Sequence, residues 1–166
     1  LPIGDGQTIS QPYVVALMLD ALELEPDNAV LEIGTGSGYG AAVLGLLVAR
    51  VYTVERHAAL ARSAAARLDR LGYRGIEVRH GDGTLGWPEH APYQAISITA
   101  AGPRVPSSLQ SQLDVGGRLV MPVGKGGWGQ QLVRLRRLGN AEYREERLGA
   151  VRFVPLIGAE GYSEAD

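Results

Sequence analysis

The stretch Ala29-Val30-Leu31-Glu32-Ile33-Gly34-Thr35-Gly36-Ser37-Gly38 decides the fold. Its first half is a short apolar run ending at glycine, the pattern of a buried strand. Its second half is a glycine-rich loop, and residues 39–48 beyond it are apolar on nearly all sides, as in a helix packed on a sheet. Glycine serves where a backbone turns sharply or a ligand must approach it closely, so strand, glycine loop and helix in that order read as a nucleoside-binding turn.

The flanking chain repeats the unit. An opening segment to Pro12, holding Gly4, Gly6, Thr8 and Ser10, reads as a loop, and residues 14–22 read as a helix closed by Pro26-Asp27. Arg50-Val51-Tyr52-Thr53-Val54-Glu55 is a second strand, rich in β-branched residues. Leu60, Ala64, Leu68 and Leu71 recur at helical spacing, with Gly72 as the stop. Strands follow at 76–80, 94–98 and 117–123, with a helix at 106–113. Residues 130–135 and 146–155 read as antiparallel strands joined near Gly139-Asn140. Strands alternating with helices imply βαβ units, hence an α/β fold: a three-layer, doubly wound, mostly parallel sheet with an antiparallel C-terminal pair.

Composition narrows the class. The chain has 166 residues, enough for one domain with a self-sufficient core. Net charge is −2 without a basic run, which argues against charge-driven nucleic-acid binding. The sequence has no cysteine, which excludes disulfides and thiolate metal sites and suits a reducing cytoplasm. No stretch reaches the length of a membrane span. His57, His80 and His90 lack metal-ligand spacing and read as surface residues, His57 at a helix start, so no metal is expected.

Acids choose the cofactor. Glu32, Glu55 and Asp82 end three successive strands, and open α/β sheets bind ligands at such carboxyl ends. Glu55 is placed to take ribose hydroxyls, and Asp82 lies beside the expected adenine. A dinucleotide fingerprint would put its third glycine where Tyr39 stands, and a carboxylate at Glu32 would repel a pyrophosphate on the helix N-terminus. No Gly-Lys-Ser/Thr sequence is present. A ligand bearing ammonium or sulfonium charge suits Glu32, and S-adenosyl-L-methionine used for methyl transfer fits best; the alternative is that Glu32 only caps the following turn.

The acceptor is read from what the site lacks. Ile98-Thr99-Ala100-Ala101-Gly102-Pro103 carries no polar clamp for an amine. A carboxylate acceptor is already ionised near neutrality and needs in-line positioning rather than a strong base. Gly6-Gln7-Thr8-Ile9-Ser10-Gln11-Pro12 offers hydroxyls and open amides to hold one. Thr8 or Ser10 serving as a helix N-cap is the competing reading.

Four strings together resemble the protein-L-isoaspartate (D-aspartate) O-methyltransferase family over essentially the whole chain: Leu1 through Ser10-Gln11-Pro12-Tyr13, Val30 through Tyr39, His80-Gly81-Asp82-Gly83, and Phe153-Val154-Pro155-Leu156. The resemblance implies S-adenosylmethionine-dependent methylation of the free carboxylate of isoaspartyl residues in damaged proteins or peptides. The ester collapses to a succinimide, which begins repair. Ser10 maps onto the family's catalytic serine. Cofactor contacts map onto Gln11, Pro12, Tyr13, Glu32, Gly34, Thr35, Gly36, Ser37, Gly38, Glu55, Arg56, Asp82 and Gly83. Thr8, Ile9, Ser10, Val154 and Pro155 would face substrate. The expected protein is a cytoplasmic monomer whose partners are isoaspartyl peptides, not nucleic acid or membrane.

Two departures from the family pattern stand out. The chain opens at Leu1-Pro2-Ile3-Gly4 without the helical segment the family carries before that string, which implies a more open crevice and weaker cofactor binding. Gln94 follows Tyr93 where the family usually has Asp. Two alternatives to repair are a homologue tailoring an Asp of one peptide and a cofactor-binding domain without turnover. Retention of Ser10, Glu32, Glu55 and Asp82 argues against the latter.

Overall fold

The computed structural model describes residues 2–4, 7–8, 12–125 and 129–164. Its centre is the strand quoted above, β3 (Ala29–Ile33), buried along its whole length. Around it, a seven-stranded sheet uses β4 (Arg50–Glu55), β5 (Ile76–His80), β6 (Tyr93–Ile98), β7 (Leu113–Val123), β8 (Gln131–Arg137) and β9 (Tyr143–Ala150). The strand order is β5-β4-β3-β6-β7-β8-β9; β3 to β7 run parallel, and the β7–β8 and β8–β9 pairs are antiparallel. From β3 the chain steps outward to β4 and β5, then returns to lay β6 on the other side of β3. That reversal opens a crevice above the carboxyl ends of β3 and β6.

Alternation along the strands sorts the two faces. Val30, Val51, Ala95 and Val120 pack with Met18 and Ala21 of α1 (Pro12–Ala21) and Leu22 just after it, Ala41 and Leu44 of α2 (Tyr39–Leu47), and Leu68 of α3 (Ala58–Arg70). Leu31, Ile33, Ile96 and Ile98 face the other way, onto Leu109 of α4 (Ser107–Gln112) and Val105. The expected three layers are therefore present. Helix α1 starts at Pro12, whose missing N–H costs nothing at a first helical position.

The chain's opening, the start of β7 and the last strand differ from expectation; β7 begins at Leu113 rather than at 117. The opening, read as a loop, contains two short antiparallel strands, β1 (Pro2–Gly4) and β2 (Gln7–Thr8). Thr8 thus lies in a strand short of the helix start, not at its cap; Ser10 lies outside the described residues. The last strand ends at Ala150 rather than running through Pro155. Beyond it the chain leaves the sheet and bonds to Ala101 instead: Ala101 N–H donates to Val154 O at 2.8 Å, and Leu156 N–H to Ala101 O at 2.8 Å.

Gln94 acts at the opposite end of the strands from the crevice. Its Oε1 accepts from Ala29 N–H at 2.8 Å and its Nε2 donates to Asp114 Oδ2 at 3.2 Å. An amide supplies both an acceptor and a donor, which a carboxylate cannot. The departure at this position thus ties three strand starts together.

Candidate active site

The crevice takes its floor from the loop after β3. Gly34, Gly36 and Gly38 have φ of 97°, 53° and 87°, left-handed values at which a side chain would be strained. The loop is held from β4. Glu55, 5% exposed, accepts from Gly36 N–H through Oε2 and from His57 N–H through Oε1, both at 2.9 Å. Its carboxylate fixes the loop's amide while still bordering the crevice.

Glu32 lies deeper, 2% exposed, on the same sheet face as Val30. Its register partners are Thr53 on β4 and Ser97 on β6. Thr53 Oγ1 donates to Glu32 Oε2 at 2.6 Å, and Thr35 and Thr53 share a hydroxyl hydrogen bond of 2.6 Å. Burial pushes the Glu32 carboxyl up to about 8; the Thr53 hydrogen bond works against this and the neighbouring Glu55 charge adds to it. A side chain on Gly40 would collide with Glu32 Oε1, so glycine in the first turn of α2 is what admits the carboxyl.

The crevice brings together Glu32, Gly34, Thr35, Gly36, Ser37, Glu55, Arg56, Gly83, Val154 and Pro155 of the residues singled out by sequence. Gly38 is the N-cap of α2, buried against Ala64 and Leu68. Pro12 and Tyr13 are exposed at the start of α1, Tyr13 at 76%; it is Val15, Met18 and Leu19 of that helix that line the crevice. Ile9, Ser10 and Gln11 lie outside the described residues.

Asp82 is engaged elsewhere. Its Oδ1 accepts from Thr84 N–H at 2.8 Å and from Thr84 Oγ1 at 2.7 Å, and its Oδ2 accepts from Ala159 N–H at 2.8 Å. Glu160 N–H donates to Thr84 Oγ1 at 3.1 Å, and the Glu160 carboxylate accepts from Ser107 Oγ and from Ser108 N–H and Oγ at the start of α4. Together these bonds staple the C-terminal segment, whose Val154, Pro155, Leu156 and Ile157 form one wall of the crevice. Asp82 itself faces a second, shallower hollow with Arg56, His80 and Tyr162.

Sequence reasoning missed several lining residues: Ser97, Thr99, Ala100, Ile157 and His57. Thr99 Oγ1 donates to the Ile33 and Gly34 carbonyls at 3.1 Å, tying β6 to the glycine loop. Its position just past a strand facing the loop is a signal that topology alone reveals. His57, read as a surface residue at a helix start, is the N-cap of α3, but its Nε2 is buried without a partner among the described residues. His90 is also less exposed than expected, stacking on Tyr52 with ring centroids 4.1 Å apart; His80 is exposed.

The fit of this crevice to a nucleoside with a cationic tail rests on three features: a glycine turn at its floor, a carboxylate bonded to that turn and bordering the crevice, and a second acid buried at its base. Phosphates would meet two acids there.

Comparison with known proteins agrees. The model of the protein-L-isoaspartate (D-aspartate) O-methyltransferase family matches residues 1–161. The chain is 62% identical to protein-L-isoaspartate O-methyltransferase 2 of Pelobacter propionicus over 162 residues, 98% of this chain and 72% of that one. It is 63% identical to a Geotalea uraniireducens relative, spanning 98% of this chain and 74% of the other. A solved protein-L-isoaspartate O-methyltransferase superposes with a TM-score of 0.85 at 29% identity over 95% of this chain, which spans about half (52%) of that structure. A Plasmodium falciparum structure described under the same enzyme name, in complex with S-adenosyl-L-homocysteine, gives 0.80 at 25% identity, covering 95% of this chain and 79% of the other. The chain belongs to the protein-L-isoaspartate (D-aspartate) O-methyltransferase family.

Proposed function

We propose that the chain methylates the free carboxylate of L-isoaspartyl residues in damaged proteins and peptides. The observation that carries this reading is the pairing of Glu32 and Glu55 around an open glycine turn in a chain of this family. Bound S-adenosylmethionine supplies a methyl group on sulfonium, which moves to a carboxylate oxygen as the S–CH3 bond breaks. The protein's part is placement.

Glu55 holds the loop and presents its remaining acceptor capacity to the ribose hydroxyls. Glu32 faces the positive charge of the cofactor's amino-acid tail, and its ionised form is the one that binds. Gly34 to Ser37 let the ligand approach the backbone. Gln11 to Tyr13, with Arg56, Asp82 and Gly83, complete the cofactor contacts. Ser10 acts on the acceptor carboxylate, with Thr8 and Ile9 beside it and Val154 and Pro155 along the substrate path. No general base is required, because an isoaspartyl carboxylate is already ionised near neutral pH. The neighbouring backbone nitrogen then attacks the ester carbonyl and gives up its proton as methanol leaves, forming a succinimide that hydrolyses partly to normal aspartate.

We read the protein as a cytoplasmic monomer; among the described residues no helix is long and apolar enough to cross a membrane.

The deciding experiment offers labelled S-adenosylmethionine with matched isoaspartyl and aspartyl peptides. Label on the isoaspartyl peptide alone is expected; equal labelling points to a general or tailoring carboxyl methyltransferase, and none to a binding domain. Ser10→Ala is expected to cut turnover while cofactor affinity holds.

A further inference from the structure

The buried hydroxyl of Thr53 has no place in that account. It lies in the interior of β4, is fully shielded from solvent, and is bonded on both sides: to Glu32 Oε2 at 2.6 Å and to Thr35 Oγ1 at 2.6 Å. Thr35, in the glycine loop, is also buried, at 3%. Three polar groups thus form a dry chain from the loop that holds the ligand to the acid at its base.

Each hydroxyl has one proton to give, so the chain has two self-consistent arrangements. With Glu32 ionised, Thr35 donates to Thr53 and Thr53 donates to the carboxylate. With Glu32 protonated, the carboxylic acid can donate to Thr53 and Thr53 to Thr35, which leaves the Thr35 hydroxyl hydrogen pointing toward the loop. Valine would fill the same space but would supply neither arrangement.

We propose that Thr53 is a positioning residue for the cofactor site: its hydroxyl favours the ionised, cation-binding form that Glu32 takes as cofactor binds, and ties that form to the conformation of the glycine loop through Thr35. This rests on the reading of Glu32 as the partner of the cofactor's positive charge.

The surroundings make the hydroxyl matter. Burial and the Glu55 charge both disfavour ionised Glu32, and the Thr53 hydrogen bond opposes them. The helices that border the crevice bring apolar Val15, Met18 and Leu19 from α1 and Tyr39, Gly40 and Leu44 from α2; β6 brings Ser97. Besides Glu32 and Glu55, the titratable groups among the described residues of the crevice wall are the Tyr39 phenol, Arg56 and His57.

Calorimetric titration of S-adenosylmethionine into the wild-type chain, Thr53→Val and Thr53→Ser, from about pH 6 to about pH 9, tests this, with two buffers of different ionisation enthalpy to count released protons. The cofactor's own amine titrates identically in every variant, so differences between profiles belong to the protein. Wild-type affinity is expected to rise with pH as binding expels the Glu32 proton. Thr53→Val is expected to weaken binding at neutral pH roughly tenfold and to move the midpoint upward by about one pH unit, the size of a charged hydrogen bond. Thr53→Ser is expected to restore both. A Thr53→Val profile with the wild-type midpoint overturns the inference and leaves the Glu32 reading standing, even if melting temperature drops. A wild-type profile flat in pH, with Glu32→Gln binding as tightly, overturns both. Should Thr53→Val fail to fold, Thr35→Val is expected to move the midpoint the same way by less, and an unmoved midpoint there also overturns the inference.

Discussion

At the scale of single residues, the crevice is a matter of where atoms are missing. Glu32 reaches its buried position because Gly40 carries no side chain. Gly40→Ala sits in a helix, where alanine is ordinarily preferred by about 1 kcal/mol, so helix propensity predicts a gain. The collision with Glu32 Oε1 predicts the reverse, an overpacking cost of about 1–3 kcal/mol. The steric term is larger, and the carboxyl must move to relieve it. We expect Gly40→Ala to lower the melting temperature and to weaken S-adenosylmethionine binding together, measured by thermal denaturation and calorimetry. A stabilised variant with unchanged affinity would show that the carboxyl has room to spare.

At the scale of elements, the C-terminal wall depends on a staple between loops distant in sequence. Glu160 caps α4 through Ser107 and Ser108 while its own N–H bonds to Thr84, and Asp82 holds the preceding residue, Ala159. Burial of Glu160 disfavours its charge, but the hydrogen bonds from Ser108 and Ser107 outweigh that, so its carboxyl lies below the usual range. The resulting stabilisation is present above the ordinary carboxylate pKa and lost as pH falls through the lowered one. Glu160→Ala removes the side-chain cap of α4 and leaves the backbone bond to Thr84 in place. The expected loss is about 0.5–2 kcal/mol, typical of an N-cap, by denaturant unfolding at neutral pH. Because Val154 to Ile157 line the crevice, the Michaelis constant for peptide should rise more than turnover falls. A change confined to stability would separate the staple from the site.

For the molecule as a whole, Glu32 sets an unusual pH response. Its folded value, about 8, lies above the ordinary carboxyl value of 4.5, so the folded chain holds a proton that the unfolded chain releases between those limits. Bound protons are then fewer in the unfolded state, and stability falls as pH rises. Glu32's contribution is fully present below 4.5 and is gone above about 8. Without cofactor, the wild type should lose on the order of a few kcal/mol from this group across that window. Glu32→Gln should flatten the slope and be the more stable form at alkaline pH, although it binds cofactor poorly. Melting curves of both at a series of pH values, without ligand, check this; parallel curves would place the Glu32 proton elsewhere.

Much of this was legible in the residues. Periodicity at β3, β4 and α3 and the punctuation by Gly72 fixed the layers, because burying an apolar face leaves a local repeat that survives in one dimension. Glycines at 34, 36 and 38 with acids at 32 and 55 pointed to the cofactor's charge for the same reason: the backbone turn and the ends of neighbouring strands are local features. What only the folded chain decided are contacts between segments far apart. Asp82 ends its strand in the sequence, but only the folded chain shows its oxygens tying Thr84 to Ala159. Thr53 looked like one more β-branched strand residue until parallel pairing set it beside Glu32. A strand's sequence tells which face a side chain takes, but register against its neighbours is a property of the whole sheet. That pairing is what turns an ordinary threonine into a partner for a buried acid.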